Sequence, residues 1–95
     1  MLFIAVCVDK ADHLPVRMDT RPAHVDFLKA KGDALKLAGP STADDGETPN
    51  GSLLIFEDSS LEAARAWVAA DPYGAAGLFA SVDVKPWKHA LGAGL

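Results

Sequence analysis

The stretch SLLIFEDSSLEAARAWVAADP, residues 52–72, holds a complete strand-to-helix unit and decides the fold class. Ser52 to Glu57 predicts a strand with Leu53-Leu54-Ile55-Phe56 at its heart, a short apolar run bounded by polar residues. The helix after it is the clearest element of the chain. Ser59 or Ser60 caps it, and Glu62 stands three residues after Ser59 in a capping-box pattern. Leu61, Ala64, Trp67 and Val68 form one apolar stripe at helical spacing. Asp71-Pro72 stops it.

Upstream, Leu2 to Val8 is a continuous apolar run, which predicts a first strand buried on both faces. Asp9 to Pro15 breaks that run. A helix is predicted from about Thr20 to Lys31, with Thr20 as N-cap and Pro22 confined to the first turn, where its missing N–H costs nothing. Val25 and Leu28 lie on its inner side, widened by Ala23, Phe27 and Ala30, and Gly32 closes it. Ala34 to Ala38 reads as a second strand ended by Gly39-Pro40. Ser41 to Gly51 is a polar, turn-rich loop, and because it carries no helix the second and third strands form an antiparallel hairpin. Downstream, Tyr73 to Gly77 predicts a brief helical turn, and Leu78 to Val84 a fourth strand ended by Lys85-Pro86. Trp87 to Leu95 reads as a weakly ordered tail with one aromatic anchor.

In order, the elements are β-α-β, then β-α-β. That is the α+β, ferredoxin-like βαββαβ layout, in which two helices cover one face of a four-stranded antiparallel sheet. The other face is left bare, and the apolar first and third strands do not suit it to water. Two such sheets packed face to face bury it, which predicts a homodimer. The chain has 95 residues, one core's worth and no more.

The formal net charge is -4 and no Lys/Arg cluster is present, so nothing supplies the basic stripe that nucleic acid or a membrane-surface helix requires. The single cysteine, Cys7, rules out a disulfide within the chain and fits a cytoplasmic location. It reads as a small buried hydrophobe and not a nucleophile. No His/Cys/Asp/Glu cluster has metal-ligand spacing, and no glycine-rich phosphate loop follows a strand, so neither metal nor cofactor is expected. The first apolar run is too short to cross a bilayer.

Several short motifs, each weak alone, are specific in their joint order: Arg21-Pro22-Ala23-His24, Gly39-Pro40, Asp71-Pro72-Tyr73, Gly77-Leu78 and Val84-Lys85-Pro86-Trp87. In this respect the chain resembles the YciI-like, YCII-related family over residues 1–88, leaving 89–95 as a tail. The resemblance implies a dimeric α+β barrel, related in architecture to muconolactone isomerase and small monooxygenase-like domains. It also implies a His–Asp pair in a cleft. A few members act on hydroxylated aromatic compounds, including dechlorination of a chlorinated hydroquinone-type substrate. By position His24 matches the family histidine and Asp71 the aspartate.

Histidine suits general acid or base chemistry near neutral pH because its reference pKa is about 6.5. His24 borders the apolar stripe of its helix, and Asp71 is a partner that would fix its tautomer. The structural alternatives are an imidazole satisfied by a backbone carbonyl, and an aspartate that serves only as N-cap before Pro72. Capping and site roles are compatible, since a carboxylate has two oxygens. Arg21 stands one turn before His24 and suits a carboxylate or phenolate ligand. Arg17, a turn earlier, lines the same helix edge as Arg21 and His24 if the helix begins early, and otherwise reads as part of a solvated face, which is the favoured reading. Ser41 is a candidate donor to a ligand oxygen, and Tyr73 a candidate pocket wall with a polar tip. These residues describe a cofactor-independent enzyme acting by proton transfer on a small oxygenated substrate. The rival is a small-molecule-binding or accessory domain without turnover.

Overall fold

The computed structural model describes residues 1–94. Its elements are β1 (Leu2–Asp9), α1 (Leu14–Ala30), β2 (Leu35–Gly39), β3 (Gly51–Glu57), α2 (Leu61–Ala69), the single turn α3 (Pro72–Ala75) and β4 (Phe79–Pro86), with a 3-10 turn at Gly32–Ala34 between α1 and β2. The strands form one antiparallel sheet in the order β2-β3-β1-β4, the ferredoxin-like arrangement.

Period-two alternation divides the residues of β1. Phe3, Ala5 and Cys7 turn inward and meet Phe56, Leu54 and Ser52 of β3 in register. With Val84 of β4 and Ala64 and Val68 of α2, all of these except Ser52 form the core. Trp67 closes it from the helix side, its ring 4.5 Å from that of Phe56 and 5.1 Å from that of Phe27 on α1. The alternate residues face away from the helices. There Val6 and Val8 are 39% and 48% exposed, with Leu37 and Leu53 beside them. The prediction of a first strand buried on both faces is therefore corrected: within one chain only the helix-side face is covered.

The first helix also starts earlier than the sequence suggested. It begins at Leu14, with Pro15 in its first turn, and runs 17 residues straight through Pro22. Thr20 is interior and caps nothing. Proline tolerates the first turn of a helix, and both Pro15 and Pro22 fit that rule locally, so the pattern alone did not choose between them. The earlier start rotates Arg17 inward. At α2 the cap is Ser60, whose hydroxyl accepts from the Ala63 amide at 3.1 Å, and not Ser59. The last strand is shifted toward the C-terminus, ending at Pro86 and not Val84.

Gly51, at the start of β3, admits no side chain. A Cβ there would stand 2.5 Å from both the Cys7 carbonyl oxygen and the Ser41 hydroxyl. This close approach draws the β2–β3 loop onto β1, next to the residues described below.

Candidate functional site

The site is built where α1 crosses the sheet. Asp71 ends the α2 segment and caps α3, its Oδ1 accepting from the Tyr73 amide at 2.9 Å, with Pro72 in the first turn as the sequence predicted. His24 comes from the middle of α1. Its Nδ1 lies 2.9 Å from each oxygen of the Asp71 carboxylate, and both side chains are buried. A carboxylate only accepts, so Nδ1 carries the hydrogen and Nε2 keeps a lone pair in the neutral ring. The backbone-carbonyl alternative for His24 does not describe this geometry.

Behind the imidazole lies Tyr73. Its ring stacks on His24 at 3.8 Å between centroids, and on it lies the Arg17 guanidinium, 4.7 Å from the ring centre. Tyr73 is thus fully buried as backing to the imidazole. Burial raises the phenol's pKa, Arg17 and Arg21 oppose that rise, and the charges of Asp71 and Asp9 add to it.

Arg17 is the largest departure from the sequence reading. It is 4% exposed, not solvated. Its Nε and Nη2 donate to the two Asp9 oxygens at 2.7 and 3.0 Å. Nη2 also lies 2.8 Å from the Gly51 carbonyl oxygen and 2.9 Å from Ser52 Oγ, so its two hydrogens are shared among three acceptors. Burial alone would lower the guanidinium's pKa, but Asp9, with help from Tyr73, outweighs it and raises the value further. The pair is a buried, hydrogen-bonded ion pair that fixes the start of α1 to the ends of β1 and β3.

A cleft of about 150 Å³ opens beside His24. Arg21 and Ser52 supply its other polar groups, Val25, Leu28 and Leu54 an apolar wall, and Ala38-Gly39-Pro40 the far rim. Ser41 lies outside this lining; its hydroxyl donates to Asn50 Oδ1 at 2.9 Å and ties the loop to itself. Of the residues singled out in the sequence, His24, Asp71 and Tyr73 are in mutual contact, Arg21 shares the cleft, and Ser41 stands apart. The sequence reading missed Asp9 and Ser52. A signal for Ser52 existed: it falls two residues before Leu54 and four before Phe56, a polar side chain at an inward position of the strand. Asp9 had no such signal, because it sits where the strand ends. Among the described residues no group of His, Cys, Asp and Glu is arranged to hold a metal ion, and no helix is long and apolar enough to cross a membrane.

The topology and the cleft define a small α+β domain of ferredoxin-like type with a buried His–Asp pair whose imidazole lines one cleft. The chain belongs to the YCII-related family, whose domain model matches residues 1–88. It is 46% identical to protein YciI of Escherichia coli over 95 residues, 93% of this chain and 97% of that protein. It is 37% identical to an uncharacterized protein of Haemophilus influenzae over the same shares. Among solved structures it is similar to 5-chloro-2-hydroxyhydroquinone dehydrochlorinase from Burkholderia phenoliruptrix in complex with 2,5-dihydroxybenzoquinone. The TM-score is 0.86 and the identity 35%, over 95% of this chain and 96% of that one.

Proposed function

We propose that this protein is a cofactor-independent enzyme in which His24 moves a proton on a small oxygenated ring, with Asp71 holding the imidazole. The observation that carries this reading is the contact of His24 Nδ1 with both Asp71 oxygens at 2.9 Å, on the wall of a cleft. Asp71 orients the ring and stabilises the imidazolium formed when Nε2 takes up a proton. In an isomerisation, the C–H bonding pair moves into the conjugated system and the imidazolium returns the proton at a second carbon. In an elimination, the pair freed by proton removal forms the new π bond as the halide leaves with its own bonding pair, and the imidazolium gives its proton to water. A cavity of about this volume accepts a single benzene ring, and Arg21 at the cleft suits an anionic oxygen on that ring. The dehydrochlorinase likeness adds a substrate class, hydroxylated and halogenated hydroquinones. The reading includes a homodimer, because the exposed Val6, Val8, Leu37 and Leu53 form an apolar sheet face that a second copy would cover.

The test is turnover of 5-chloro-2-hydroxyhydroquinone, followed as chloride release, and then of related hydroxylated rings. His24→Ala is expected to lower the rate about 100- to 10,000-fold with the far-ultraviolet circular dichroism unchanged. Undiminished turnover in that variant would remove His24 as the base. Thermal stabilisation by 2,5-dihydroxybenzoquinone without product from any ring tested would favour a binding module.

A further inference from the structure

We propose that the Ser52 hydroxyl is the donor that holds the oxygen on which negative charge develops, and that Arg17 is the positioning residue that turns the Ser52 proton toward it. This inference rests on the proton-transfer reading. It narrows the substrate class to rings bearing a phenolic or enolisable oxygen.

A serine hydroxyl has one proton to give and two lone pairs to receive. Arg17 Nη2 donates to Ser52 Oγ at 2.9 Å, and a guanidinium never accepts. That contact therefore uses a lone pair and leaves the proton free. Among the described residues no side chain or backbone oxygen accepts it. Ser52 is only 4% exposed, yet it lines the cleft together with His24 and Arg21. A buried donor with no protein acceptor, facing the same cleft as a base, is arranged for a ligand oxygen.

Arg17 cannot swing away to take another role. Two bonds to Asp9 and one to the Gly51 carbonyl fix it, and its face lies against Tyr73. The cation thus stays on the far side of Ser52 Oγ, where it polarises the O–H bond toward the cleft. His24 and Ser52 then divide one event. As Nε2 takes the substrate proton, the electron pair shifts to the conjugated oxygen, and Ser52 donates to that oxygen. When the imidazolium returns the proton to a second carbon, the pair leaves the oxygen again. Arg21 remains available for a second anionic substituent.

The probe is 4-nitrophenol, whose ionised form absorbs near the visible, with nitrobenzene as the ring lacking the oxygen. In the native protein, bound 4-nitrophenol is expected to ionise at lower pH than the free compound. Ser52→Ala is expected to reverse that shift and weaken nitrophenolate binding about 10- to 100-fold, leaving nitrobenzene affinity unchanged. Arg21→Gln is expected to retain part of the shift. Equal nitrophenolate affinity in Ser52→Ala, or an equal loss for nitrobenzene, overturns the proposal, the second because it marks a packing defect. Should Ser52→Ala not fold, the native protein and Arg21→Gln decide: bound nitrophenol ionising at or above the free value in the first, or a shift wholly abolished in the second, overturns it as well. On a turned-over substrate, Ser52→Ala is expected to lower kcat about 100-fold with little change in KM. Full turnover in His24→Ala would sink the proton-transfer reading alone, since the nitrophenol shift does not depend on it.

Discussion

At the scale of single residues, charge and burial decide which groups are available for chemistry. Cys7 is not among them. Burial, then the negative charges of Asp71 and Asp9, push its thiol up to about 12, against the opposing charge of Arg17. Iodoacetamide at pH 8.5 is therefore expected to leave the native protein unmodified and to label it only after unfolding. Native labelling at the rate of a free thiol would mean that β1 opens in solution. The sequence had Cys7 right because a lone cysteine inside an apolar run has few other roles. It had Arg17 wrong because nothing in the order of residues reveals that Asp9, across a turn, is waiting to neutralise it. His24 and Asp71 are 47 positions apart in sequence, and local pattern placed each on its element without bringing them together. The family resemblance supplied that pairing as an expectation.

At the scale of elements, the strands and α2 were legible because each carries its own apolar run or stripe and a stop signal. Helix α1 was legible in type but not in extent, since two prolines each made an acceptable first turn. The loop between β2 and β3 was read as polar and turn-rich. In the structure Asp45 organises it: its carboxylate accepts from the Thr48 hydroxyl and amide and from the Glu47 amide. The Thr48 hydroxyl and then the two amides hold the carboxyl down to about 2. The sign follows from linkage. The turn is fully stabilised above the ordinary aspartate value of about 3.9 and loses that stabilisation as pH falls through about 2. A carboxyl-carbon NMR titration should place the Asp45 midpoint near 2, and Thr48→Val should move it up toward the ordinary value. A native midpoint already at that value would show that the turn is unformed in water.

At the scale of the whole molecule, a single sheet has one covered face and one open face. Each chain weighs 10.0 kDa, and sedimentation equilibrium is expected to return twice that mass. Replacing Val6 with Glu, in the middle of the open face, should shift the population to monomer while leaving the helix-side core intact. A native monomer at high micromolar concentration would remove the homodimer from the proposed function. The bare face was legible in the sequence from strand count and apolar content alone. Its exact exposed residues were not, because they depend on register, and register is fixed by pairing across distant strands.

The Asp71 carboxylate also has a consequence for comparing relatives. One oxygen is committed twice, to the amide that starts α3 and to the imidazole. A relative without turnover would still need that aspartate to begin its short helical turn. Finding the acid in a homologue is thus silent on whether the homologue is an enzyme. The histidine caps nothing, so under the proposed function it is the more informative member of the pair.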